Sequence, residues 1–219
     1  AVHPVLRQIL YNRGLTQPGQ IQSFLENHYL QSRDPFGLAD MEPAAERIIR
    51  ALRDGEMIAI YGDFDADGVT ATVLLTEALR GMVADRRLIV PYIPDRFKEG
   101  YGLNLDALAK LHAKGAGLVI SVDCGIRSPV EAAYARSVGL DMIITDHHGL
   151  GQELPPAIAV INPNRMDSTY PERMLAGVGI AFKLAQAVRQ SAPDLVTTDE
   201  SNLLDLVALG TVADLAPLL

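Results

Sequence analysis

The chain alternates short apolar runs with segments of helical periodicity from Met57 onward, and this alternation restricts the fold more than any other feature. The apolar runs read MIAIY, RLIVPYI, GLVISV, DMIIT and AIAVI. Strands that alternate with helices predict a parallel sheet, and near-continuous apolar strands predict a sheet that is covered on both faces. The sequence therefore predicts a doubly wound α/β domain with a mainly parallel sheet and helices on both faces.

A helical segment is expected before the sheet, because residues 5–10 and 21–25 place apolar side chains at helical spacing. We expect residues 1–42 to form a short helical N-terminal segment packed on the core, and residues 43–219 to form the main domain. Within that domain, Pro43 is expected to begin a helix that ends before Gly55.

Two further helix starts are predicted from capping residues. Asn104 is expected to cap the helix in NLDALAKLHAKG, and Ser128 the helix in SPVEAAYARSVG. Two more helices are expected over residues 176–190 and 200–210.

The composition is that of a globular protein, with 48% hydrophobic and 21% charged residues among 219. The single cysteine, Cys124, excludes an internal disulfide, fits a reducing cytoplasm and is interpreted as a small buried residue. We expect a cytoplasmic protein without a membrane partner. The net charge of −8 argues against a protein that coats nucleic acid through a broad basic face. It does not argue against a nuclease, because carboxylates at a metal site count as negative charge.

Polar residues follow four of the five predicted strands, as DFDAD, DCG, DHH and NPNR. Ligands of open parallel sheets bind outside the carboxyl ends of the strands, so these residues should converge on one edge. The candidates for a metal centre are Asp65, Asp67, Asp123, Asp146, His147, His148 and Asp214. A single aspartate at such a place is commonly a helix cap, but adjacent histidines are unusual. Carboxylates crowded together can share a small space when divalent cations lie between them, and carboxylates and imidazoles suit Mn²⁺, Mg²⁺ or Zn²⁺.

Four motifs resemble the series that marks the DHH phosphoesterase superfamily: DFDADG at 63–68, VDCG at 122–125, DHH at 146–148 and GTVADLAPL at 210–218. Four more stretches are similar to its RecJ branch, whose members are single-strand-specific 5′→3′ exonucleases. These are LYNRG at 10–14, RFKEGYG at 96–102, INPNR at 161–165 and LAGVGIAFKLA at 175–185.

The resemblance implies two divalent metal ions, Mn²⁺ or Mg²⁺, and a ligand set for each. By that resemblance Asp65 ligates the first metal, Asp67 ligates the second, and Asp123 bridges both. His147 and Asp214 complete the second site.

Other residues at the predicted site keep two interpretations. His148 contacts the scissile phosphate or helps to hold the site, and Asp63 ligates the first metal or orients its ligands. Asp146 is expected to orient the histidine pair. Gly177 and Gly179 open a helix, where they present backbone N–H groups to an anion or allow close packing.

Four residues are candidates for substrate binding. Arg96 is either a surface arginine or a phosphate contact, and the resemblance favours the contact. Tyr101 either stacks on a base or has a structural role. Asn162 and Arg165 either cap and hold a loop or contact a substrate phosphate.

The resemblance implies a RecJ-like exonuclease core that hydrolyses phosphodiester bonds of single-stranded DNA by a two-metal mechanism and releases 5′-mononucleotides. The implied partner is single-stranded DNA with a 5′ end, with a single-strand-binding protein or a helicase recruited through regions outside this chain. A catalytic-domain fragment without its C-terminal substrate-binding domain is expected, because the chain stops after the fourth acidic motif. Two alternatives stay open: a DHH phosphodiesterase acting on short oligonucleotides or cyclic dinucleotides, and a non-catalytic DHH scaffold.

Overall fold

The computed structural model describes residues 2–25, 34–197 and 200–217. They form two compact units, Ala1–Asp34 with Pro217–Leu219 and Pro35–Ala216. The first unit contains helices α1 (Pro4–Asn12) and α2 (Pro18–Leu25). The predicted short helical segment at the N-terminus is therefore confirmed, although residues 26–33 of the predicted stretch lie outside the described residues.

The second unit is built from five strands and six longer helices. The strands are β1 (Met57–Tyr61), β2 (Ile89–Tyr92), β3 (Ala116–Val122), β4 (Asp141–Thr145) and β5 (Ala159–Ile161). The helices are α3 (Met41–Asp54), α4 (Ala66–Arg80), α5 (Leu105–Ala113), α6 (Pro129–Ser137), α7 (Gly177–Ser191) and α8 (Leu204–Ala213). Short 3-10 turns lie at Pro35–Gly37, Arg86–Leu88, Pro193–Leu195 and Glu200–Leu203.

The five strands form one sheet in the order β2-β1-β3-β4-β5, and every neighbouring pair is parallel. The predicted parallel α/β sheet is thus confirmed. The strand order changes direction between β1 and β3, so a crevice is expected at the carboxyl ends of these two strands.

Helices cover both faces of the sheet because successive strand residues point to opposite sides. Ile58 and Ile60 of β1 belong to a buried cluster with residues of α3, α4 and α7. Ala59 and Tyr61 belong to a second cluster with residues of α5 and α6. The doubly wound arrangement is therefore confirmed as well.

The helix ends agree only in part with the sequence prediction. Helix α3 begins at Met41 rather than at Pro43. Pro43 then lies within the first turn, where a backbone N–H has no partner inside the helix and a proline is tolerated. Gly55 ends that helix with a φ of 67°, and Asn104 caps α5 by accepting a hydrogen bond from Ala107 N at 2.7 Å. The capping role predicted for Ser128 is wrong: it precedes α6 but makes no side-chain cap bond.

No helix in the described part of the chain has the length and apolar character to cross a membrane.

Candidate metal centre

The loop between β1 and α4 places three aspartates at the carboxyl end of β1. Asp63 is buried, and its Oδ1 accepts a hydrogen bond from Phe64 N at 2.7 Å. Asp65 is exposed and caps α4, since its Oδ1 accepts from Gly68 N at 2.9 Å. A Cβ on Gly68 would lie 2.6 Å from Asp63 Cβ, so only glycine allows the loop to fold this tightly.

Asp67 lies in the first turn of α4 and points to the N-terminus of α7. Its Oδ2 accepts a hydrogen bond from Gly177 N at 2.6 Å, and its Oδ1 accepts from Val178 N at 2.8 Å. Burial raises the pKa of Asp67, and these two amides oppose that effect. The backbone N–H groups at the N-terminus of α7 therefore bind an anion of the chain itself, the Asp67 carboxylate.

Asp123 follows β3 and occupies the middle of the centre. Its φ of 61° is in the left-handed region, which aspartate tolerates better than most residues. The side chain is 1% exposed, and among the described residues Oδ1 meets only His147 Nε2, at 3.0 Å, in a contact that lacks hydrogen-bond alignment. Burial, reinforced by the neighbouring Asp67 and Asp65 and opposed by His147, raises the pKa of Asp123 to about 7. A buried carboxylate oxygen without a well-aligned donor is the environment that a divalent cation would compensate.

His147 lies between three of the aspartates. Its Nε2 is 3.0 Å from Asp123 Oδ1 and 3.8 Å from Asp67 Oδ2, and its Nδ1 is 3.8 Å from Asp214 Oδ2. Burial disfavours the charged imidazole, but the contact with Asp123 outweighs it and raises the pKa of His147.

Helix α8 brings Asp214 to the centre, because Gly210 allows a close approach. A Cβ on Gly210 would lie 2.4 Å from Thr70 Oγ1, 2.7 Å from Val178 Cγ1 and 2.8 Å from Asp67 Oδ1. Asp214 follows the last turn of α8 and remains partly exposed.

His148 is held by Asp146 and borders the rim of the centre. Its Nδ1 is 2.7 Å from Asp146 Oδ1, and its backbone N donates to the same oxygen at 3.0 Å. This hydrogen bond to Asp146 raises the pKa of His148 to about 9. Asp146 Oδ2 accepts from Ile126 N at 2.9 Å, so Asp146 orients His148 and contacts no other titratable residue that the structure describes at hydrogen-bond distance.

The ligand atoms form three groups in which all atoms lie within 4.8 Å of one another. These groups are Asp63, Asp65 and Asp123; Asp67, His147 and Asp214; and Asp123, His147 and His148. The first two share no residue, and the third joins them through Asp123 and His147. The chemistry of these donors fits two divalent cations. The grouping follows the division predicted between a first and a second metal, and the individual ligand roles stay predictions.

Arg96, Phe64 and Tyr101 form an exposed rim beside His148. The guanidinium carbon of Arg96 lies 4.9 Å from the centre of the Phe64 ring. The Tyr101 ring contacts Phe64 edge-on at 6.3 Å between centroids, and its hydroxyl lies 3.5 Å from His148 Nε2. This rim offers a cation and aromatic faces next to the carboxylates. The phosphate contact predicted for Arg96 and the base stacking predicted for Tyr101 require these groups.

Arg165 does not reach this rim. Its guanidinium is buried and bound to Asp40 Oδ2 at 2.6 Å, to Val160 O at 2.7 Å and to both oxygens of Asp167. Since these partners occupy the guanidinium, the structure favours the loop-holding interpretation of Arg165 over the substrate-phosphate contact.

Asn162 is likewise engaged inside the protein. It is 1% exposed, and its Nδ2 donates to His148 O at 3.0 Å. Its neighbour Asn164, which the sequence analysis did not single out, donates from Nδ2 to His147 O at 2.7 Å. The N-x-N spacing in INPNR is the only sequence signal that could have pointed to this second asparagine.

Comparison with known proteins gives the same fold and family. The sequence model of the DHH family, N-terminal domain, matches residues 57–211. The single-stranded-DNA-specific exonuclease RecJ of Bacillus subtilis is 44% identical over 217 residues, which cover 99% of this chain and 26% of that protein. The enzyme of the same name from Escherichia coli is 41% identical, with 98% of this chain and 38% of that protein covered.

Solved structures agree. A crystal structure of exonuclease RecJ bound to manganese matches with a TM-score of 0.73 at 35% identity, over 83% of this chain and 44% of that one. RecJ from Thermus thermophilus in complex with Mn²⁺ matches with a TM-score of 0.67 at 32% identity, over 83% of this chain and 25% of that one. The chain thus spans less than half the length of these relatives, between 25% and 44%. Since the family match covers most of the chain, from the first strand to α8, the chain belongs to the DHH family.

Proposed function

We propose that this chain is the catalytic core of a RecJ-like exonuclease, which removes nucleotides from the 5′ end of single-stranded DNA with Mn²⁺ or Mg²⁺. The observation that carries the proposal is the pair of ligand groups, one of Asp63, Asp65 and Asp123 and the other of Asp67, His147 and Asp214, which meet where His147 Nε2 lies 3.0 Å from the buried Asp123 Oδ1. Relatives named RecJ at 41–44% identity support the same activity.

The residues of the centre are assigned as ligands of two cations in this proposal. Asp63 and Asp65 would hold the first cation together with Asp123. Asp67, His147 and Asp214 would hold the second, and Asp123 would contribute to that site as well. Divalent cations in such a pair neutralise the charge on a phosphoryl group and lower the pKa of a water molecule for attack in line with the leaving oxygen.

The rim would bind the substrate. His148, oriented by Asp146, would donate a hydrogen bond to a phosphate oxygen at the border of the carboxylate cluster. Arg96 would pair with a backbone phosphate, and the exposed Tyr101 ring would stack on a base. Because the overall charge is −8, these local groups rather than a broad basic surface would attract the strand.

The domain assignment belongs to the same proposal. Residues 43–219 would form the catalytic domain and residues 1–42 a helical lead-in. Single-stranded DNA with a 5′ end is the proposed partner, and recruitment of a single-strand-binding protein or a helicase stays a prediction.

The test is digestion of a 5′-phosphorylated, 3′-labelled single-stranded oligonucleotide with Mn²⁺, beside a dinucleotide substrate. The Asp123→Ala variant is the control. We expect stepwise shortening from the 5′ end and release of 5′-mononucleotides, both absent in the control. Cleavage of the dinucleotide alone would favour a phosphodiesterase of short substrates. Hydrolysis by Asp123→Ala at the parent rate would refute the metal centre. Mn²⁺ binding without any cleavage would mean either that cleavage needs a domain outside this chain or that the chain is a scaffold.

A further inference from the structure

Beyond Asp146, whose backbone N still donates to Ile161 O at 3.1 Å, the loop that carries the histidine pair is held by side chains. Strand β4 ends at Thr145, and residues 146–149 belong to no helix or strand. Three consecutive carbonyl oxygens in this loop accept hydrogen bonds from side chains. The pairs are His147 O with Asn164 Nδ2 at 2.7 Å, His148 O with Asn162 Nδ2 at 3.0 Å, and Gly149 O with Arg127 Nε at 2.7 Å.

The two asparagines are joined in one turn at the carboxyl end of β5. Asn162 Oδ1 accepts a hydrogen bond from Asn164 N at 2.8 Å, which fixes the Asn162 side chain and the backbone that carries Asn164. Strand β5 pairs with β4 in parallel, with Thr145 opposite Ile161. The amide groups therefore extend from one strand end to the loop that follows the neighbouring strand.

The position of His147 depends on the orientation of its own backbone. Its ring must lie simultaneously near Asp123, Asp67 and Asp214, at 3.0–3.8 Å. Metal–ligand distances tolerate only a few tenths of an ångström, so a rotation of the peptide after His147 would remove the ring from any shared ion. A short hydrogen bond to His147 O limits that rotation.

We propose that Asn164 is a positioning residue that holds His147 in the orientation required for metal binding, and that Asn162 holds His148 in the same way. The inference rests on the proposed function only in so far as the centre binds a divalent cation. It also gives the buried amide of Asn162 a role inside the protein instead of a substrate contact.

The test is Mn²⁺ binding by isothermal titration calorimetry on the metal-free chain and its variants, with unfolding followed by urea. The His147→Ala variant first identifies the binding component that depends on this imidazole. Asn164 is half-buried. We expect Asn164→Ala to weaken the Mn²⁺ affinity of that same component about 10-fold or more, which is the usual effect of losing a hydrogen-bond partner of a metal ligand.

The matched control is Asn104→Ala. It also deletes an amide donor to an oxygen, since Asn104 Nδ2 donates to Tyr61 OH at 3.0 Å, and it removes the cap of α5. We expect Asn104→Ala to lower stability and leave Mn²⁺ affinity unchanged. Asn162→Ala loses two hydrogen bonds at a buried site and is expected to lose stability as well, so Asn164→Ala decides the question.

Unchanged Mn²⁺ affinity in Asn164→Ala would overturn the proposal, as would an equal loss in Asn104→Ala or a parent chain that binds no Mn²⁺. The exonuclease assignment is tested separately. A parent chain that binds Mn²⁺ without digesting DNA would show that this chain alone does not carry the exonuclease activity, while a 10-fold loss in Asn164→Ala would still support the positioning role.

Discussion

The amide nitrogen of Gly177 lies 2.6 Å from Asp67 Oδ2, although 110 residues separate the two in the chain. The same glycine approaches Asp123 so closely that a Cβ would lie 2.6 Å from both its Cβ and its Oδ1. Gly177 therefore joins two candidate metal ligands, one through its backbone and the other through the space that its missing side chain leaves.

We predict that Gly177→Ala displaces Asp123 and weakens Mn²⁺ binding by about 10-fold or more, with a loss of about 1–3 kcal/mol in the free energy of unfolding from overpacking. Calorimetry and urea denaturation measure the two effects. Gly179→Ala is the matched control, since its Cβ would meet only Leu175 Cδ2, at 3.3 Å, and no ligand. Equal effects of the two substitutions would contradict the special role of Gly177.

The metal-free chain should lose stability as the pH rises from about 4 to about 7. The pKa of Asp123 is about 7 in the folded chain and about 3.9 in an unfolded one, so the folded state binds more protons in this window. Asp123→Asn removes this contribution, and the difference in unfolding free energy between pH 5 and pH 8 should shrink by roughly 2 kcal/mol. The raised pKa values of Asp67, His147 and His148 leave a residual slope in the same direction. Urea denaturation at both pH values in the presence of a chelator measures the pH dependence of the unfolding free energy. Identical slopes for parent and variant would disprove the assignment to Asp123.

Added Mn²⁺ should reverse this pH dependence. Ligands bind metal in their deprotonated form, so the stabilisation by Mn²⁺ should be larger at pH 8 than at pH 5. A cation at 100 times its dissociation constant stabilises the folded chain by about 2.7 kcal/mol. Thermal unfolding with and without Mn²⁺ at both pH values tests the expectation. Asp123→Asn should show little stabilisation at either pH, and a normal response by that variant would contradict a shared ligand.

Two arginines of the predicted substrate set should behave differently. Arg165→Ala leaves the buried Val160 O and the partly exposed Asp40 carboxylate without their donor, and it should cost about 1–3 kcal/mol of unfolding free energy. Arg96→Ala removes an exposed side chain and should change stability by less than about 0.5 kcal/mol. Urea denaturation compares the two.

In the oligonucleotide assay, Arg96→Ala should raise KM several-fold because a phosphate contact is lost. A KM equal to that of the parent chain would leave Arg96 as a surface residue that stacks on Phe64.

The sheet and its polar edge could be predicted from the sequence because both follow from local patterns. Apolar runs of strand length alternate with helices, and each run ends in the residues that the parallel arrangement then collects at one edge. Asn104 was predictable as a cap for the same reason, since the hydrogen bond to Ala107 N spans three residues.

Contacts between distant segments could not be predicted. The pairing of Asp67 with the start of α7, of Arg165 with Asp40 and of Asn164 with His147 depends on how loops from different strands meet. Ser128 shows that a prediction from local sequence can also fail. A favourable residue at a helix start need not form the cap when the surrounding loop turns its side chain elsewhere.

The position of Asp214 behind α8 has a consequence for the order in which the centre can be assembled. During synthesis from the N-terminus, the group of Asp63, Asp65 and Asp123 is complete once residue 123 has been made. The group of Asp67, His147 and Asp214 is complete only after residue 214, which follows α8. The ligands for a first cation would therefore all be synthesised before those for the second, and occupancy of both sites would require that translation has passed α8.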